Sequence, residues 1–100
     1  MINVLLINPP DYKMIQGAIP KELGRDRMGK YPPLGLLYIA SYAQMRHPKI
    51  LNINIVDAIT DSLTHEEIQR IIEEFQPDII GLSVYTFTLI DSLQVVRSAK

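Results

Sequence analysis

Val4-Leu5-Leu6-Ile7-Asn8-Pro9-Pro10 is a continuous apolar run stopped by two prolines. A strand with one wet face alternates apolar and polar residues. An unbroken apolar run instead marks a strand covered on both faces, as in a parallel sheet flanked by helices. Proline cannot donate to a ladder, so the strand ends at Asn8. Two more runs follow, Ile53-Asn54-Ile55-Val56 and Ile79-Ile80-Gly81-Leu82-Ser83-Val84. Helical patterns lie between the runs, and this alternation predicts βαβ units and a parallel sheet.

The first helix is expected over residues 34–46. Pro32 and Pro33 stand at its entrance, where a missing N–H is harmless, and Pro48 lies just past its end. His47 falls at the negative end of that helix dipole. Thr64 and Glu67 have the capping-box spacing for a second helix. Ile68, Ile71, Ile72 and Phe75 then keep the i, i+3, i+4, i+7 template, and Pro77 stops it. A third helix begins at about Leu89, with Thr88 and Asp91 as a cap pair and Leu89, Leu93 and Val96 as its expected buried face.

These elements give an α/β fold: a flavodoxin-like (Rossmann-like) three-layer parallel sheet with strand order 2-1-3. Open doubly wound sheets of this kind usually hold about five strands. Residues 1–100 are therefore read as one partial α/β domain, truncated before strands 4 and 5. The third strand would otherwise present an unpaired apolar edge. The loop over residues 9–33 far exceeds the ~2–6 residues of an ordinary βα connection. It carries Lys13, Lys21, Arg25, Arg27 and Lys30, five of the ten basic residues.

Composition removes several function classes. The net charge of -1 and the lack of a basic stripe give no reason to expect nucleic acid. The absence of cysteine excludes disulfides, thiolate metal sites and a self-contained iron–sulfur cluster. No apolar stretch approaches the roughly 18 residues of a membrane span, and a cytoplasmic location is expected. His47 and His65 have no metal-ligand spacing and form no triad; both read as structural or solvent-exposed.

In an open parallel sheet, ligands bind beyond the carboxyl ends of the strands, where strand order reverses. For order 2-1-3 that point lies between strands one and three. It gathers Asn8, Pro9 and Pro10 with Ser83, Tyr85, Thr86 and Thr88, and Asp57 ends the second strand nearby. Each has a plainer reading. Asn8-Pro9-Pro10 can simply end a strand, Ser83 and Thr86 can satisfy local backbone, and Thr88 can be an N-cap. Asp57 stands where dinucleotide folds keep a ribose-binding acid. That role needs a Gly-x-Gly-x-x-Gly turn after the first strand, and the chain has Asn-Pro-Pro there. A receiver-type phosphorylation site is disfavoured too, because Ser83 occupies the end of the third strand.

Taken together, Val4-Leu5-Leu6-Ile7-Asn8-Pro9-Pro10 and Tyr31-Pro32-Pro33-Leu34-Gly35-Leu36-Leu37-Tyr38-Ile39-Ala40-Ser41-Tyr42 resemble the opening of cobalamin-dependent radical S-adenosylmethionine proteins. Val56-Asp57-Ala58 and Pro77-Asp78-Ile79-Ile80-Gly81-Leu82-Ser83-Val84-Tyr85-Thr86 continue that pattern in the same order. The group includes anaerobic magnesium-protoporphyrin monomethyl ester cyclases and many methyltransferases, and the resemblance covers essentially the whole chain. It implies a cobalamin-binding module with cofactor contacts at Asn8, Pro9, Pro10, Ser83, Tyr85, Thr86 and Thr88. Ser83-Val84-Tyr85 falls on the family's Ser-x-Leu contact, with Tyr in place of Leu.

Two departures accompany the resemblance. The Asp-x-His-x-x-Gly loop of classical cobalamin domains reads Asn8-Pro9-Pro10-Asp11-Tyr12-Lys13 here, which implies base-off cobalamin without a His ligand from this chain. The family's Gly-Gly loop after a fourth strand lies beyond Lys100. The chain also lacks a Cys-x-x-x-Cys-x-x-Cys motif. S-adenosylmethionine, an iron–sulfur cluster and the catalytic step are therefore implied only for a parent enzyme, whose radical S-adenosylmethionine domain would follow as partner. Two other readings stand beside this one. One is a cobalamin-free interaction or substrate-channel domain of the same fold; the other is an unrelated flavodoxin-like enzyme or regulator.

Overall fold

The computed structural model describes residues 1–11, 33–85 and 88–99. Strands β1 (Ile2–Asn8), β2 (Leu51–Asp57) and β3 (Ile79–Leu82) alternate with helices α1 (Leu34–Arg46), α2 (His65–Phe75) and α3 (Leu89–Ala99). The strands form one parallel sheet in the order β2-β1-β3. This is the flavodoxin-like architecture expected from the sequence. Most of the loop read over residues 9–33 lies outside the described residues.

β1 is central. Leu5 and Ile7 are fully buried and pack with Val56, Ala58, Ile68, Ile72 and Val95. Alternation along a strand sends Leu6 to the opposite face, where α1 lies against β1 and β2. Burial on both faces explains why β1 is an unbroken apolar run.

α1 begins and ends where expected. The N–H of Leu37 donates to the Pro33 carbonyl at 3.0 Å, and the N–H of His47 donates to the Ala43 carbonyl at 2.9 Å. The helix is apolar on nearly every side, yet only Leu36 is buried. Leu34, Tyr38, Tyr42 and Met45 form an outward stripe.

α2 has its capping box. Thr64 Oγ1 accepts from the Glu67 N–H at 3.2 Å, and the Thr64 N–H donates to Glu67 Oε1 at 3.1 Å. At its other end Gln76 takes a left-handed conformation, φ 50°. Asn3 Nδ2 donates to the carbonyls of Phe75 at 3.2 Å and Gln76 at 3.4 Å. Asp78 then clamps the start of β1: its Oδ2 accepts the Asn3 N–H at 2.8 Å and its N–H donates to the Asn3 carbonyl at 2.7 Å. The Pro77-Asp78 pair is thus both a helix stop and a strand anchor.

α3 differs from expectation in its rotation. Leu89, Leu93 and Val96 are exposed, and the buried residues are Asp91, Ser92 and Val95. With Thr88, these keep the same i, i+3, i+4, i+7 template one step round the helix. Thr88 Oγ1 bonds back to Tyr85, and Asp91 Oδ1 meets His65 across the helix interface. The inward face of α3 thus combines polar residues with the core residue Val95.

Candidate functional site

Three strand ends lie level at the carboxyl edge of the sheet. Asn8 pairs in register with Asp57, and Leu82 pairs with Ile7, so Ser83 follows beside Asn8. The Ser83 N–H extends the ladder by donating to the Ile7 carbonyl at 3.1 Å. The strand-order argument therefore brings Asn8 and Ser83 together from sequence positions 75 residues apart.

Their side chains are differently engaged. Asn8 is buried, and its Nδ2 donates to Asp57 Oδ1 at 3.0 Å. Asp57 also accepts from the Thr60 N–H at 3.3 Å and from the Thr60 hydroxyl at 2.7 Å. It organises the turn leading towards α2. Pro9 and Pro10 are fully buried. Ser83 is half-buried at the edge, with Val84 and Tyr85 exposed beside it. Thr86 lies outside the described residues.

Thr88 is 1% exposed and holds the turn after β3. Its hydroxyl accepts the Tyr85 N–H at 3.2 Å and lies 3.3 Å from the Tyr85 carbonyl, to which it can donate. The Thr88 N–H donates to that same carbonyl at 3.0 Å. Among the expected contacts, Ser83 and Tyr85 thus stand towards the open side of the edge, while Pro9, Pro10 and Thr88 stand behind it.

The pair formed by His65 and Asp91 is not among the contacts expected from the sequence. His65 Nε2 donates to Asp91 Oδ1 at 2.8 Å, with the Asp91 side chain completely buried. His65 opens α2 and Asp91 lies in the first turn of α3. The partners are 26 residues apart on different helices, so no local spacing signals the pair. The polar 88/91/92 stripe with Val95 was the available hint.

A ligand at this edge would meet the half-buried Ser83 hydroxyl between the ends of β1 and β3, next to open surface at Val84 and Tyr85. Among the described residues, no group of three or more His, Asp or Glu gathers to hold a metal ion. Also among them, no helix is long and apolar enough to cross a membrane.

Comparison with known proteins agrees with this fold. Residues 21–100 match the B12 binding domain family. An uncharacterized methyltransferase of Pyrococcus horikoshii is 33% identical over 100 residues, which are the whole of this chain and 19% of that protein. The anaerobic magnesium-protoporphyrin IX monomethyl ester cyclase of Rubrivivax gelatinosus is 26% identical over 77 residues, 77% of this chain and 14% of that protein. The chain therefore spans less than a fifth of the length of either relative. No solved structure matches it. The chain belongs to the B12 binding domain family.

Proposed function

We propose that this chain is the cobalamin-binding module of a radical S-adenosylmethionine enzyme of methyltransferase or cyclase type. The observation that carries the reading is the meeting of Asn8 and Ser83 at the reversal point of a sheet whose sequence falls in the B12 binding domain family. Ser83 would donate to or accept from the cofactor's base. Tyr85 and, by sequence position, Thr86 would flank it. Asn8, Pro9, Pro10 and Thr88 would shape the wall from behind. Bound cobalamin would supply methyl-transfer or electron-transfer chemistry; the protein's part is to place and shield it.

The cofactor would be held base-off without an axial His from this chain. The turn after β1 has none, His47 follows α1 at the opposite edge of the sheet, and His65 Nε2 is engaged by Asp91. S-adenosylmethionine and an iron–sulfur cluster would belong to a further domain of a longer parent chain. The much greater length of both relatives supports that arrangement. So does the apolar surface at β3 and α3, where Ile79, Val84, Leu89, Ile90, Leu93 and Val96 are exposed. Further strands and helices would cover it.

The test is a titration of hydroxocobalamin into the protein at its natural length, followed by visible absorption. Saturable spectral change that is lost in a folded Ser83→Leu variant is the expected result. No change in a folded wild-type protein would favour the cobalamin-free interaction domain instead.

A further inference from the structure

We propose that His65 and Asp91 are a positioning pair that sets the turn after β3, and with it the cofactor wall. The inference rests on the cobalamin reading for its consequence, but not for its geometry. α2 and α3 are neighbours on one face of the sheet. In parallel βαβ units both helices start at the carboxyl edge of the sheet, the edge that carries Asn8 and Ser83. The His65–Asp91 bond therefore ties two helix starts together beside the crevice.

From Asp91 the link to the site is short. Asp91 and Ser92 are neighbours in the first turns of α3. Ser92 Oγ donates to the Thr88 carbonyl at 2.8 Å. Thr88 in turn holds both backbone groups of Tyr85, by its hydroxyl at 3.2 and 3.3 Å and by its N–H at 3.0 Å. Tyr85 and Ser83 are the expected contacts on the open side of the edge. Thr88, Asp91 and Ser92 are 1%, 0% and 3% exposed. Water therefore cannot readily replace the Thr88, Asp91 or Ser92 groups in this relay.

The rotation of α3 is the second support. Burial of apolar area would turn Leu89, Leu93 and Val96 inward. The helix instead buries a carboxylate and a hydroxyl. A buried carboxylate is costly unless it is paired. Here it has the His65 Nε2–H and the positive end of its own helix. Losing the His65 partner weakens the hold on this buried carboxylate, so the bond helps to fix the rotation of α3 and the aim of the turn that enters it.

The experiment compares wild type, His65→Ala and His65→Gln at natural length, by residue-resolved amide exchange and by hydroxocobalamin titration. Gln can place a donor near the Nε2 position, whereas Ala cannot. In His65→Ala the Tyr85 and Thr88 amides are expected to exchange roughly tenfold faster or more, the worth of one hydrogen bond to a charged group. Amides of β1 should remain protected, and hydroxocobalamin affinity should fall by a similar factor. His65→Gln should restore both. Unchanged exchange at Tyr85 and Thr88 in a folded His65→Ala protein would overturn the proposal. So would loss of protection spread evenly over every element, or a failure of Gln to rescue. If wild type gives no spectral change while the exchange pattern holds, the cofactor reading fails and the positioning of the turn stands.

Discussion

Asn8 and Asp57 join the ends of β1 and β2: the Asn8 Nδ2 donates to the Asp57 Oδ1 at 3.0 Å. The Asp57 carboxylate also receives both polar groups of Thr60. One acid therefore ends a strand, shapes the following turn and ties both to the central strand. Asn8 is 5% exposed, so water replaces its amide poorly. Asn8→Ala is expected to cost about 1–2 kcal/mol, the worth of a buried hydrogen bond. Asn8→Asp should cost more, because it sets a second carboxylate against the first. Urea unfolding of the two variants measures the order, and equal stabilities would refute the pairing.

A control lies at the other edge of the sheet. Asn3 caps the last carbonyls of α2 and accepts from Asn52 Nδ2 at 3.2 Å through Oδ1. Asn3→Ala removes these bonds together. The expected loss is about 1–2 kcal/mol of stability, with hydroxocobalamin affinity unchanged in protein that remains folded. A fall in affinity at full occupancy of the folded state would mean that the two edges are coupled.

The two described glycines should respond in opposite directions. A Cβ on Gly35, in the first turn of α1, meets nothing within 4 Å. Gly35→Ala should therefore stabilise by about 0.5–1 kcal/mol through helix propensity. A Cβ on Gly81 would stand 2.8 Å from Leu6 Cδ2, and Leu6 is buried opposite it in the ladder. The Leu6 side chain can shift, so Gly81→Ala should cost only about 1 kcal/mol, the low end for overpacking. Thermal unfolding followed by circular dichroism gives both signs.

What the sequence made legible follows from how local each signal is. The Thr64–Glu67 box, the stop at Pro77 and the end of β1 at Asn8 each depend on a few neighbouring residues, and all three are present. The meeting of Asn8 with Ser83 needed only strand order. The inward face of α1 was hidden because its apolar residues surround it. Leu36 is buried and Ala40 and Ala43 are half-buried, while Tyr38 and Tyr42 face out. The face of α3 is not legible in its hydrophobic period, which carries no sign of a partner on another helix, here His65. The Asn8–Asp57 bond joins two strand ends whose chemistry was read separately.

The rotation of α3 can be checked without any ligand. Val95 is completely buried against the core beside Ile68 and Ile72, whereas Leu93 is 52% exposed. Val95→Ala removes two buried methyl groups and leaves a void, at an expected cost of about 1.5–3 kcal/mol. Leu93→Ala removes more carbon atoms from a more exposed position and should change stability by no more than about 0.5 kcal/mol. A helix turned to bury Leu89, Leu93 and Val96 would reverse that order. The comparison should be made by urea unfolding of both variants in residues 1–100 alone, so that no added strand or helix packs on Leu93, with equal m-values required. If Leu93→Ala proves the costlier change, the 88/91/92/95 face is not the buried one, and the link from His65 to the turn after β3 falls with it.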